Sequence, residues 1–208
     1  MFRSATTFCV LLVALVTTVC AQQKANPEGT GQPTGIKALY VGNEGVLLSH
    51  GGKSVLFDGL HREYGPEYLF PPAELLSAME TAKPPFDQVR VVLVSHIHLD
   101  HFHHQSVGLH LKNNPRARLI SSAQTMAEIG KNYADQASIG AQTVEVTPEW
   151  KQRREVVVDG IKVSVLGMKH GSDRFWWVKN LGHIIELGGK KFFQFGDADM
   201  TDENFASF

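Results

Sequence analysis

Cysteine is scarce in this sequence: 208 residues contain two, Cys9 and Cys20, and both lie in an N-terminal segment that reads as removable. A chain without them has no disulfide, no thiolate metal ligand and no cysteine nucleophile, so its chemistry must come from histidine, carboxylates and oxygen. Long apolar runs are also missing. Even the N-terminal run is shorter than the ~20 residues of a membrane-spanning helix, and no later stretch approaches that length. Nor is there an excess of positive charge, since 20 Lys and Arg face 21 Asp and Glu. Removing Met1 to Ala21 takes away only Arg3, which leaves 19 basic residues against 21 acidic ones and a formal charge of −2. Such a chain has no basic field for nucleic acid. The expected partner is a small-molecule substrate, with no stable membrane insertion.

What is present starts with the N-terminus. Arg3 precedes an uncharged apolar run from Phe8 to Val19, followed by small residues and then Gln22 and Gln23. This is the layout of a secretory signal peptide over 1–21, with cleavage expected after Ala21 and a secreted or periplasmic product. A lipid-anchored alternative would use Cys20. Residues 22–35 are rich in Gly, Pro, Gln and Asn and read as a flexible leader. The remaining 36–208, with 43% apolar residues in the whole chain, suffice for one domain with a core.

Within that domain the pattern alternates between strand and helix. Ile36 to Val41 predicts a strand, and Val46–Ser49 with Ser54–Phe57 predicts a hairpin turning through Gly51-Gly52. Leu75, Leu76 and Met79 after Pro71-Pro72 predict a helix opened by proline. Val89 to Val94 is continuously apolar, the mark of a strand buried on both faces. A helix through Val107 and Leu111, a strand at Ala117–Ile120, and a helix presenting Met126, Ile129 and Tyr133 follow, with Ser121 and Gln124 as an expected capping box. Two hairpins close the pattern, one across Asp159-Gly160 and one across Gly188-Gly189. Thr201 to Asn204 reads as the start of a further helix.

The chemistry concentrates in Ser95-His96-Ile97-His98-Leu99-Asp100-His101, directly after the apolar strand. In extended backbone, residues i and i+2 point the same way, so His96 and His98 can reach one ion while Asp100 and His101 continue toward a second. Imidazole and carboxylate at this density suit Zn²⁺ without sulfur. This loop, with His170 in Met168-Lys169-His170-Gly171 and Asp197 in Phe195-Gly196-Asp197, resembles the metallo-β-lactamase superfamily over roughly residue 36 to the end.

The resemblance implies an α/β protein with the αββα sandwich of that superfamily, and a hydrolase carrying two zinc ions. His96, His98 and His170 would hold the first, Asp100 and His101 the second, and Asp197 would bridge; Asp58 would orient the metal loop, while its local sequence, an aspartate before Gly59, reads equally as a turn residue. A shared metal-bound hydroxide would attack, with Asp100 relaying the proton. The superfamily completes its second site with a later histidine, and nothing after Asp197 supplies one, so the chain is expected to lack the last strands and helix. A metal-binding fragment without turnover is therefore the alternative to an ester, lactone or phosphodiester hydrolase. Missing cysteine ligands argue against thiol-containing β-lactamases, and histidine rather than glutamate at position 98 argues against flavodiiron redox proteins. Arg174, Trp176 and Trp177 form a polar-aromatic loop that could line a substrate pocket, although the tryptophans are expected first as core residues of the next strand. His183 is expected to pack rather than ligate.

Overall fold

A computed structural model describes residues 35–171 and 173–206. The expected signal peptide, its cleavage site and the leader up to residue 34 lie outside the described residues. The chain begins with β1 (Lys37–Gly42), β2 (Gly45–His50) and β3 (Lys53–Phe57), an antiparallel meander with the predicted Gly51-Gly52 turn. Helix α1 (Ala73–Glu80) follows Pro72, whose fixed φ suits a helix entry, and a cis Pro84-Pro85 peptide lies between it and β4 (Val89–Leu93). Then come α2 (His104–Asn113), β5 (Arg118–Ser121), α3 (Ala123–Asn132) and β6 (Thr143–Glu145). β4, β5 and β6 extend the meander in parallel, giving a six-stranded sheet ordered β1-β2-β3-β4-β5-β6.

The second half is antiparallel: β7 (Arg153–Val158), β8 (Ile161–Met168), β9 (Asn180–Leu187) and β10 (Lys190–Gln194) make a four-stranded sheet ordered β10-β9-β8-β7. The short helix α4 (Asp202–Phe205) begins at Thr201, whose side chain accepts from Asn204 N–H. The mixed α/β architecture is the expected one. Two details differ. The cap of α3 is Ser122, accepting from Thr125 N–H, because Ser121 is still in the sheet and its hydroxyl donates to Val94 O. β6, a three-residue strand after a 3₁₀ turn, was not expected, being too short to show periodicity.

Strand alternation sorts the core into layers. Leu47, Leu56, Val92 and Val94 face α1–α3 with Val107, Leu111 and Ile129. Their neighbours Leu48, Val55, Phe57, Val91 and Leu93 face Ile161, Val163, Val165, Leu181 and Ile185 across the two sheets. Beyond the second sheet, Leu166, Met168 and Ala198 pack with Phe205 of α4. The order helix, sheet, sheet, helix is thus filled at each interface. Each fully buried side chain of this kind is worth about 1.5–3 kcal/mol relative to exposure.

Candidate metal centre

The parallel order β3-β4-β5 brings three strand ends to one edge of the first sheet. Asp58 N–H donates to Leu93 O, which seats Asp58 beside Ser95. Asp58 is buried at φ +36°, a left-handed conformation that aspartate tolerates. The ends of β8 and β10 and the start of β9 arrive at the same place: Leu181 N–H donates to Ser95 O, and His170 bridges Ala198. Gly196 (φ +53°) is required here, because a Cβ would stand 2.6 Å from Ser95 Cβ and from Asn180 Oδ1. Asn180, buried at the start of β9, donates to Phe195 O and accepts from Asp197 N–H, so it fixes the turn that delivers Asp197.

Six side chains named from the sequence meet at this edge. His98 Nδ1 lies 3.0 Å from His96 Nε2 and 3.2 Å from His170 Nε2. Asp197 Oδ2 is 3.8 Å from His96 Nε2 and 3.5 Å from His170 Nε2, and these four donors all lie within 4.8 Å of one another. The other Asp197 oxygen, Oδ1, is 3.1 Å from His101 Nε2, which is 3.6 Å from Asp100 Oδ2. One carboxylate therefore faces two donor groups, a four-membered one and a three-membered one.

Asp58 sets the tautomers. Its Oδ1 accepts from Ser95 N–H at 2.7 Å, and its Oδ2 accepts from Ser95 Oγ–H at 2.6 Å, His101 Nδ1 at 2.9 Å and Gln194 Nε2 at 2.6 Å. Since the Ser95 hydroxyl donates to Asp58, it accepts from His96 Nδ1 at 2.9 Å, which leaves Nε2 of His96 as a lone pair facing the site. The Asp58 bond to His101 Nδ1 likewise turns Nε2 of His101 toward Asp197. Asn43, in the β1–β2 turn, donates to Asp100 O and Oδ2 at 3.0 and 3.3 Å. Behind Gln194 stands His183, fully buried and donating through Nδ1 to Gln194 Oε1; it packs, as expected.

The electrostatics suit a cation. Burial, then the neighbouring His101, His98 and His170, hold His96 well below the ordinary imidazole range. Burial also lowers His98 and His170, so these rings are neutral, the liganding form. His101 behaves oppositely. Burial works against its charge, but hydrogen bonds to Asp197 and Asp58 raise it to about 10. Without a metal, the proton on His101 Nε2 is the positive charge between Asp100 and Asp197. The donor set also passes on size: nitrogens about 2.0–2.1 Å from a tetrahedral zinc stand roughly 3.3 Å apart, close to the separations found.

The tryptophan expectation is corrected. Trp176 is 83% exposed and Trp177 is 45% exposed, because β9 starts only at Asn180 and, among the described residues of this loop, Val178 is the one that turns into the core. His103 and His104 stack on each other at the start of α2. His61 and His110 are buried and bond Gly42 O and Met79 O. Asn43, Asn180 and Gln194 carry no signal in the sequence, since their roles depend on tertiary neighbours.

The family model described as beta-lactamase superfamily domain matches residues 54–207, and the chain belongs to that superfamily. Among solved structures, the chain is similar to the isothiocyanate hydrolase from Delia radicum gut bacteria, with a TM-score of 0.54 and 16% identity over 82% of this chain and 67% of that one. It is also similar to a metallo hydrolase from the hyperthermophilic archaeon Ignicoccus hospitalis KIN4/I, with a TM-score of 0.50 and 16% identity over 78% of this chain and 61% of that one. A third is the diiron β-hydroxylase CmlA from Streptomyces venezuelae, with a TM-score of 0.52 and 18% identity over 82% of this chain and 31% of that one. At these identities the likeness shows the fold alone. The chain spans about three fifths of the length of the archaeal enzyme, 61%. No curated protein matches it.

Proposed function

We propose that the chain is an exported zinc-dependent hydrolase. His96, His98, His170 and Asp197 would hold one ion, and Asp100, His101 and Asp197 a second. The observation that carries this reading is the division of Asp197, one oxygen toward each donor group. When bound, such an ion pair acidifies water and draws electron density from the bond under attack. The chain's own residues do the rest. Asp58 acts through Ser95 to leave His96 Nε2 unprotonated and accepts from His101 Nδ1, so that His101 Nε2 would turn to an ion that displaces its proton, and Gln194 keeps Asp58 in place. Asn43 engages Oδ2 of Asp100, which leaves its other oxygen to take a proton from water and pass it to the leaving group. Phe175 packs its ring 4.6 Å from His98 and 5.1 Å from His170, keeping bulk water off the donor rings.

The bond is an ester, lactone, phosphodiester or similar one. The oxygen of water bonds to the acyl carbon or phosphorus, the bond to the leaving oxygen breaks, and a water proton ends on the leaving group. The three-donor second group favours one competing reading, a metal-binding protein without turnover. Assay of the purified protein against ester, lactone and phosphodiester panels, before chelation, after it and with zinc restored, separates them. Turnover of one class that chelation abolishes and zinc restores supports the hydrolase. Bound zinc without turnover supports the competing reading, and a protein that binds no metal contradicts both.

A further inference from the structure

The donor cluster opens into a cleft of about 550 Å³, within the usual range for a small-molecule site. Its walls are unusually aromatic. Tyr64 and Tyr68, from the loop between β3 and α1, have rings 5.6 Å apart. Phe175 and Trp177 come from the loop between β8 and β9. Tyr64 is 54% exposed and Trp177 45%, so the rings line the opening instead of filling a core. Exposed aromatic surface is costly in water, and a concave patch of it marks a binding site. The loop that carries Trp177 is held in place: Gln124 of α3 donates to Trp177 O at 2.8 Å and accepts from Lys179 N–H at 2.7 Å. Because Phe175 touches two donor rings, the apolar surface starts at the donor cluster itself.

Charge at the rim is one-sided in availability. Arg174 lines the cleft with its guanidinium 5.3 Å from the Phe175 ring centre, and it makes no ion pair among the described residues. Glu128, the acid on the cleft wall away from the metal residues, already accepts from Asn132 at 2.8 Å.

Building on the hydrolase reading, we propose that this cleft selects aromatic substrates that carry an acidic group. The ring lies among Tyr64, Tyr68, Phe175 and Trp177, and the acid pairs with Arg174. Ring and cation then act separately, the first through apolar area and stacking and the second through a partly exposed ion pair.

Calorimetric titration of the full chain, with its metal left in place, tests this with three inert probes: naphthalene-2-sulfonate, naphthalene-2-methanol and butane-1-sulfonate. The naphthalene sulfonate should bind about tenfold more tightly than the butane sulfonate and about threefold to fivefold more tightly than the alcohol. Trp177→Ala and Tyr64→Ala, both surface changes, should each weaken the two naphthalenes about fivefold. Arg174→Gln should bring the sulfonate down to the alcohol and leave the alcohol unchanged. Equal binding of the two sulfonates, no effect of either ring variant, or an equal effect of Arg174→Gln on sulfonate and alcohol would overturn the proposal. None of these readouts requires turnover, so failure of the hydrolase reading would show separately, as probe binding without hydrolysis of any panel substrate.

Discussion

Replacing Asp58 with Asn changes one atom and removes one charge, yet the structure makes it a severe change. Oδ1 receives a backbone N–H that cannot turn away, and Oδ2 receives Ser95 Oγ–H, His101 Nδ1 and Gln194 Nε2. Whichever way the new amide points, its NH₂ meets a buried donor. If the Ser95 hydroxyl reverses to relieve the clash, it donates to His96 Nδ1 instead of accepting, and His96 Nε2 then carries the proton and loses its lone pair. Two costs add in the metal-free protein near neutral pH. An unsatisfied buried donor costs about 1–3 kcal/mol. Loss of the carboxylate under a protonated His101 brings the total to roughly 3–5 kcal/mol. Above the His101 value of about 10 the ring is neutral, and the variant should then cost only the hydrogen-bond part. Urea unfolding of chelated parent and variant near neutral pH, and again above that value, measures both. A difference under about 1 kcal/mol at neutral pH, below even the lower bound for one unsatisfied donor, would refute the reasoning. So would a difference that does not shrink when His101 deprotonates.

Metal-free protein should be most stable near the ordinary histidine value, and urea midpoints across pH check this. His101, raised to about 10, contributes stability that is complete below 6.5 and is lost as pH climbs through about 10. His96, His110 and His183, lowered by burial, contribute stability present above 6.5 and lost as pH falls below it. Stability that rises steadily from neutral to alkaline pH would contradict the His101 assignment. Zinc titration should show two unequal sites, the tighter with His96, His98, His170 and Asp197; equal affinities would mean that the three-donor group gains a further ligand. Mass analysis of the N-terminus from the native host should find the chain starting at Gln22, whereas retention of Met1 would end the export reading and a lipidated Cys20 would replace it with an anchored one.

The histidine-rich loop was legible because its chemistry is local. A strand buried on both faces, Val89 to Val94, must stop somewhere, and the histidines that follow it sit two apart. Which residues of Leu47-Leu48 and Val91-Val92-Leu93 face which layer is seen only in the structure, where successive residues alternate between the helix side and the second sheet. Residues that act across the fold left no such trace. Asn43, Asn180 and Gln194 are common polar residues in a turn, a strand start and a strand end, and they matter only because distant strands converge on them. Asp58 was readable equally as a turn residue, and it is both, with a positive φ and four accepted hydrogen bonds. The tryptophans misled because two large apolar residues before a strand read as core, while here the strand begins after them.

Asp197→Asn tests the central claim most directly, with zinc content, thermal stability and turnover measured on one variant. Its side chain is 38% exposed and faces the donor groups. The backbone of the same residue holds the fold, donating to Asn180 Oδ1 and accepting from Gly171 N–H, and the substitution leaves those bonds intact. The fold should therefore persist while the three-donor site weakens and hydrolysis drops by roughly 10²-fold or more. A variant that keeps parental zinc content and turnover would show that Asp197 does not join two metals, and one that unfolds without selective loss of zinc would make it a structural turn residue.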